Sequence, residues 1–502
     1  MKTIILGPPG TGKTTTLLDL VDEFLRSGVR PKEIGYFSFT RKAAKEAIDR
    51  AATRFNLDAD KELIYFRTLH SLAFRLLGVN KEVMMGKSDY REFGEKFGIP
   101  IKYAEYSDED GIFNADSPYL RIINNARVRG ISLLEEYDKN LHTLDIERDT
   151  LILLDKELKK FKEQKKMKDF TDLIIEFTKK DLSPKFKVLF IDEAQDLSFI
   201  QWQMVKSMWN KSEKTYIAGD DDQAIFEWAG ADISHFVSLK DQVDKVKTLN
   251  QSYRIPGGPI HELSQRIINN VQNRYEKQYK PREDKGVLKY YTDITQVDMS
   301  KGKWLVLATS HFFLEDVKDL CELQGWYYTH KGKNSIPLEL LLAINNWEEW
   351  RKGGLLSFLE IKNIYSFLGP SVAPGFHQAK TLRSDEKYTI EDCKKSHGLI
   401  KVGMWYETFQ KISTIEENYI RNMLAKGEQI NKEPRIQLST IHAAKGGERD
   451  NVLIISDLTK AATISNEKNP DETRRLFYVA TTRVKNELHI VEPKNFERAF
   501  IL

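Results

Sequence analysis

Apolar residues in this chain gather into short, nearly continuous runs, the pattern of strands buried on both faces of a parallel sheet. Five such runs, at 3–7, 34–39, 187–192, 215–220 and 246–250, are rich in β-branched and aromatic residues, and most end in polar or glycine-rich segments. Each of the first four meets a helical pattern, as crossover connections require. A second set lies at 304–310, 436–442, 451–456 and 487–491. Between these sets run two longer, polar, helical stretches without such strands, about 76–168 and 336–433. The fold class expected is therefore α/β, with two parallel-sheet domains each interrupted by a mainly helical inserted subdomain. The boundaries read as 1–75 with 169–249 for the first domain, and 250–335 with 434–502 for the second.

Chemistry enters at the end of the first run. Gly7-Pro8-Pro9-Gly10-Thr11-Gly12-Lys13-Thr14 leaves a strand and opens a helix. Glycines let the backbone wrap a phosphate with its N–H groups, and the helix N-terminus adds partial positive charge. In that context Lys13 reaches the β- and γ-phosphates and Thr14 a Mg²⁺ ion, with Gly10, Thr11, Gly12 and Thr15 completing the cradle. The third run ends in Asp192-Glu193-Ala194-Gln195-Asp196. A buried strand ending in two acids places Asp192 at the metal and Glu193 beside the water that attacks the γ-phosphate. The plain alternatives are a tight turn and a solvated acidic loop; the two motifs together favour nucleoside-triphosphate hydrolysis.

Bulk properties then narrow the class. At 502 residues the chain exceeds one hydrophobic core. No apolar run approaches the ~18 residues of a membrane span, and the start has no secretory pattern. Cys321 and Cys393 cannot build a disulfide framework. A cytoplasmic protein is expected. The net charge is only +3, so any phosphate-backbone partner has to meet charge concentrated locally. Lys156-Glu157-Leu158-Lys159-Lys160-Phe161-Lys162-Glu163-Gln164-Lys165-Lys166 is basic, yet its spacing suits a solvated helix face with Glu–Lys pairs better than a binding patch.

The acidic motif also begins a series that resembles the UvrD/Rep/PcrA-like helicases of superfamily 1, in the 1A branch. Phe39-Thr40-Arg41-Lys42-Ala43-Ala44, Thr68-Leu69-His70-Ser71-Leu72 and Asp169-Phe170-Thr171-Asp172-Leu173 resemble family motifs ahead of it. Gly219-Asp220-Asp221-Asp222-Gln223-Ala224-Ile225-Phe226 and Leu249-Asn250-Gln251-Ser252-Tyr253-Arg254 follow it. Ser439-Thr440-Ile441-His442-Ala443-Ala444-Lys445-Gly446-Gly447-Glu448 and Arg474-Arg475-Leu476-Phe477-Tyr478-Val479-Ala480-Thr481-Thr482-Arg483 complete the order. The resemblance implies RecA-like domains 1A and 2A with insertions 1B and 2B, and ATP with Mg²⁺ used in the cleft between the two RecA-like domains. By resemblance Gln223 links the γ-phosphate to the nucleic-acid side, Arg254 and Arg483 are cleft arginines of the second α/β domain, Tyr253 stacks on the base and Glu448 lies near the ribose.

Single-strand motors need stacking platforms and phosphate donors. By resemblance Phe39, Phe226 and Trp228 are the stacking candidates, and Thr40, His70, Thr440 and His442 the polar contacts; Trp228 stands first. The implied partners are single-stranded DNA and single-strand/duplex junctions, with RNA as an alternative strand, no membrane, and a monomer as the working form. Three departures stand out. Only Met1 to Leu6 precede Gly7, leaving no adenine-reading motif there. Ala229 stands where the family commonly has an arginine. After Arg483 there is little room for a strand-separating hairpin, and the second insertion is short, resembling compact phage-type relatives. The implied function is an ATP-dependent 3′→5′ DNA helicase or single-strand translocase. The alternatives are a translocase that displaces proteins without strong unwinding, and a nucleotide-switched clamp.

Overall fold

The computed structural model describes residues 1–107, 111–141, 146–374, 383, 385–429 and 432–502. They divide into two compact units, Met1–Val287 with Thr459–Thr482 and Leu502, and Leu288–Leu458 with Arg483–Ile501.

The first unit is built on six strands: Lys2–Leu6 (β1), Ile34–Ser38 (β2), Phe66–Thr68 (β3), Val188–Asp192 (β4), Lys214–Gly219 (β5) and Lys245–Thr248 (β6). Their order is β3-β2-β4-β5-β1-β6, and every pairing is parallel. The continuous apolar runs reflect this, because the central strands are covered on both faces. Ile5, Tyr36, Phe66, Val188 and Phe190 pack with Leu17, Leu18 and Val21 of the helix Lys13–Arg26. Parallel strands bring their C-terminal ends to one edge, where a ligand can meet loops and helix N-termini. The polar residues that ended each run in the sequence stand at that edge.

The second unit holds Val287–Tyr291 (β7), Trp304–Ala308 (β8), Tyr328–His330 (β9), Lys333–Asn334 (β10), Ile436–Thr440 (β11), Arg449–Ile455 (β12) and Val484–Val491 (β13). Their order is β10-β9-β11-β8-β12-β13-β7. The pairs β9–β11, β11–β8, β8–β12 and β12–β13 are parallel, and β10 closes an antiparallel hairpin on β9. The nine runs read from the sequence all form strands. β3, β7, β9 and β10 are additional; they are short or edge elements whose mixed polarity leaves no apolar run.

Both insertions are mainly helical, each with one short antiparallel pair: Ala104–Tyr106 with Phe113–Ala115, and Leu356–Ser357 with Lys387–Tyr388. Their packing differs. The first insertion has a core of its own around Phe93, Leu120, Ile123, Leu154 and Phe161. The second shares one core with its sheet, Val306 and Leu438 running into Trp347, Trp350 and Ile361. In the basic run Lys159 pairs with Asp155, Lys160 with Glu157 and Lys165 with Glu92. Lys162 is buried against Asp169 and Asp172 at 2.8 and 2.7 Å, so four lysines of the run are engaged by carboxylates, most of which lie outside it. Among the described residues no helix is long and apolar enough to cross a membrane.

Two stretches read from the sequence with the second domain fall elsewhere by compactness. Residues 250–287 and 459–482 belong to the compact unit of the phosphate loop. The Ser252 hydroxyl and the Tyr253 N–H are hydrogen-bonded to that loop, and the helix Pro470–Thr481 packs against the helix Pro259–Ile268.

Trp347 is fully buried, with its indole N–H donating to the Gly403 carbonyl at 3.0 Å. Trp347→Ala is expected to destabilise the second unit by about 4 kcal/mol through lost burial and a residual cavity. Denaturant unfolding followed by tryptophan fluorescence and limited proteolysis measures this, and a loss below about 1 kcal/mol would contradict the shared core.

Candidate active site

The loop after β1 is shaped by two glycines. Gly10 and Gly12 have φ of +72° and +79°, which side chains with a Cβ rarely adopt. A Cβ on Gly10 would also stand 2.4 Å from Arg254 Cβ. Gly12 caps the helix Lys13–Arg26 without a side-chain hydrogen bond, so no side chain competes for the N–H groups at its start. Thr11 folds back, its hydroxyl donating to the Pro8 carbonyl at 2.8 Å. Thr15 is exposed on the first helical turn.

Lys13 Nζ donates to the Gly7 carbonyl at 3.0 Å and lies 3.8 Å from Glu193 Oε1. The Thr14 hydroxyl donates to Asp192 Oδ2 at 3.1 Å, and the Tyr36 hydroxyl donates to the same oxygen at 2.8 Å. Burial pushes the Asp192 carboxyl up to about 6, neighbouring Glu193 pushes it the same way, and Lys13 opposes both. A carboxylate desolvated to this degree is short of positive charge. A divalent cation beside Thr14 and Asp192 would restore its ionised form. The residues therefore fit Mg²⁺, which is commonly held by one or two carboxylates together with substrate phosphates. Glu193 follows with φ +52°. Gln195 Nε2 donates to Glu193 Oε2 at 2.6 Å, while Gln195 Oε1 accepts the Asp220 N–H at 2.9 Å. One glutamine thus ties the end of β4 to the end of β5.

Two further candidates adjoin this loop in the same unit, and a third, Gln223, follows the end of β5. The Ser252 hydroxyl donates to the Pro9 carbonyl at 2.7 Å, and the Tyr253 N–H donates to the Gly10 carbonyl at 2.9 Å. These bonds set Tyr253 beside the phosphate loop with its side chain 74% exposed, an open aromatic face. Arg254 follows, its N–H donating to Ser252 Oγ at 3.3 Å. Gln223 is buried, its amide donating to Asp220 Oδ2 at 2.6 Å.

Of the stacking candidates, Phe39 and Phe226 are buried, 5.6 Å apart between ring centroids, and Phe226 is 6.5 Å from Trp228. Only Trp228 of the three presents a large exposed face, at 40%. Phe226 is the ring next to it, with Phe39 packed against Phe226. Thr40 is spent as a helix cap, accepting the Ala43 N–H at 3.1 Å. His70 stands edge-on to Phe170 at 5.7 Å, and together with Phe39 it lines a cavity of about 650 Å³ that also takes in Arg41, Lys45 and Arg67. In the second unit, Thr440 accepts the Ala443 N–H at 3.3 Å and His442 is part-exposed on the following turn. Glu448 is paired with Lys485 at 2.7 Å, and the buried Arg483 lies 3.5 Å from the Gly447 carbonyl.

Comparison with known proteins decides the family. The UvrD/REP helicase N-terminal domain matches residues 1–244, and the UvrD-like helicase C-terminal domain matches 436–491. The chain belongs to the UvrD/Rep helicase family. Among curated relatives it is 26% identical over 294 residues to the ATP-dependent DNA helicase Rep of Buchnera aphidicola subsp. Baizongia pistaciae, a match covering 53% of this chain and 41% of that protein. It is 23% identical over 606 residues to Rep of Buchnera aphidicola subsp. Acyrthosiphon pisum, covering 97% of this chain and 91% of the relative. With PcrA of Bacillus subtilis it shares 25% identity over 390 residues, 73% of this chain and 50% of that one.

Several residues of this UvrD/Rep-family site carried no sequence signal as single positions. Tyr36 is one aromatic in a buried strand, and Ser252 one hydroxyl in a loop; only the fold sets them on Asp192 and Pro9. Arg67, whose buried Nε has no hydrogen-bond partner, lines the cavity beside His70 although no quoted motif includes it. At the loop where Ala229 replaces the family's usual arginine, Arg129 arrives from the helix Pro118–Arg129 and donates to the Glu227 carbonyl at 2.7 Å.

Burial, with Arg41 adding to it, holds the His70 imidazole down at about 4. A histidine with a depressed folded value binds protons more readily when unfolded. Stability associated with His70 is therefore constant above about pH 6.5, falls as pH drops towards 4, and levels off below. The His70 ring is expected to stay neutral in NMR titration down to about pH 4. A midpoint near its ordinary value of 6.5 would place the ring in water.

Proposed function

We propose that this chain is an ATP-dependent DNA helicase or single-strand DNA translocase, hydrolysing ATP between two RecA-like domains and moving 3′→5′. Family membership supports a nucleoside-triphosphate hydrolase of helicase type. The observation that carries the chemistry is the convergence of Lys13, Thr14, Asp192 and Glu193 at one sheet edge, beside a loop whose N–H groups are free of side-chain caps. Lys13 binds the β- and γ-phosphates, leaving Gly7 to do so. Thr14 and Asp192 hold Mg²⁺, which supplies charge to the γ-phosphate oxygens. Glu193 orients the attacking water and takes its proton. Tyr253 stacks on the base, and Glu448 meets the ribose.

Gln223, Arg254 and Arg483 are assigned the sensing of the γ-phosphate. An arginine that meets it only at closure contributes ~10³–10⁵ in turnover and makes closure depend on triphosphate. Single-stranded DNA follows Trp228, with His70, Thr440 and His442 as polar contacts and Phe39 and Phe226 as the support beneath. The four-part division into 1A (1–75, 169–249), 1B (76–168), 2A (250–335, 434–502) and 2B (336–433) belongs to this proposal, as do the monomeric state and the preference for DNA over RNA. A translocase that strips proteins from single strands is the second reading, and a strand-displacement assay set against a protein-displacement assay separates the two.

Steady-state ATP hydrolysis with and without single-stranded DNA tests the core of the proposal. Strong stimulation that vanishes in Lys13→Ala is expected, followed by unwinding of partial duplexes with 3′ but not 5′ tails. Hydrolysis indifferent to DNA and RNA would sink the motor. Trp228→Ala is expected to weaken single-strand binding about tenfold, within the ~1–3 kcal/mol that one base–aromatic stack contributes, as read by fluorescence anisotropy.

A further inference from the structure

Immediately after β5 the chain reads Asp220-Asp221-Asp222-Gln223, and the three aspartates are 0%, 0% and 1% exposed. Three adjacent carboxylates removed from water have to be met by cations and donors. Lys277 brings its ammonium 3.2 Å from Asp220 Oδ1, 2.6 Å from Asp221 Oδ1 and 2.9 Å from Asp222 Oδ2. Its side chain is itself buried, and three donors face three carboxylates. Arg274 grips Asp222 from another side with Nε and Nη2 at 2.8 and 2.6 Å. The Tyr275 N–H donates to Asp221 at 2.7 Å. Arg475, on the helix Pro470–Thr481, donates to the carbonyls of Asp221 at 2.9 Å and Asn273 at 2.5 Å.

The cluster bears directly on the nucleotide sensor. Asp220, held through Oδ1 by Lys277, receives the Gln223 amide on Oδ2 at 2.6 Å. Phe226 and Trp228 lie three and five residues further along the same loop. Lys277 is therefore one contact removed from the γ-phosphate candidate, and Trp228 follows six residues past Asp222 on the same loop.

We infer that Lys277 is a positioning residue which, by holding Asp220, Asp221 and Asp222 together, keeps Gln223 and the Trp228 loop in one arrangement and so couples nucleotide state to single-strand binding. This rests on the helicase reading above. Charge balance supports it. Burial pushes Asp221 up to about 6, whereas for Asp222 the pull of Lys277 and Arg274 outweighs burial and holds it below its ordinary value. Burial lowers Lys277, but the three aspartates outweigh it and keep the ammonium charged. Removing the cation leaves like charges to push the loop apart.

Lys277→Met keeps the stem and removes the charge. The expected result is a fall of about fivefold or more in stimulation of ATP hydrolysis by single-stranded DNA, the size of a modest coupling between sites. The DNA concentration for half-maximal stimulation rises with it, the KM for ATP moves less than about twofold, and Lys277→Arg recovers part of the loss. Lys277→Gln also keeps much of the stem while removing the charge, and it carries the same expectation should Lys277→Met not fold. A folded Lys277→Met or Lys277→Gln protein with wild-type stimulation and half-point overturns the inference. So does a loss confined to the KM for ATP, which marks a local scaffold of the nucleotide site. If the wild-type protein itself is not stimulated by DNA, the helicase reading falls first and the coupling role falls with it.

Discussion

A carboxylate taken out of water has to find a cation or a set of donors, and in the first unit the functional elements hang from such groups. Asp192 draws in Thr14 from the first helix and Tyr36 from β2. Asp220 to Asp222 draw in Lys277 and Arg274 from the segment after the helix Pro259–Ile268. Asp169 and Asp172 draw in Arg127 and Lys162 from the first insertion. Each acid stands at the end of a strand or the start of a helix, where the sheet holds it still. The cost of burying it makes the partner obligatory. Hydrophobic packing forms the sheet, and these acids determine which distant segments attach to its active edge.

The legibility of the sequence follows from the same division. Runs such as 187–192 and 436–442 are readable because both faces of a central parallel strand are apolar. β3 escaped notice because its three residues, Phe66–Thr68, include an arginine between the buried positions. The phosphate loop and the acids of β4 are local motifs, and the structure brings Lys13, Thr14, Asp192 and Glu193 together. Partners set by long-range folding are another matter. Nothing near Lys277 in the chain marks it as the counter-ion of residues more than fifty positions earlier. Burial was also hidden: Phe39 and Phe226 read as possible platforms, and only packing shows that Trp228 alone among them is open.

Residues 250–254 illustrate how a motif can be recognised while its mechanical attachment is not. Pattern placed Tyr253 and Arg254 with the second α/β domain, yet Ser252 and Tyr253 are bonded to the carbonyls of Pro9 and Gly10. These two bonds join the loop after β1 to the aromatic beside it within one compact unit. The close approach tolerates no Cβ at Gly10. An exposed aromatic side chain is thus already fixed beside the phosphate loop within the first unit.

The two insertions have unequal freedom to be lost or exchanged. The first closes its own core around Phe93 and Phe161, and ion pairs through Asp169 and Asp172 tie it to its host. The second has Trp347 and Trp350 in the same apolar body as the strands β8 and β11. A lineage trimming this chain could recast the first insertion as a cassette by conserving a few charges at its base. It could not trim the second without rebuilding the sheet beneath it.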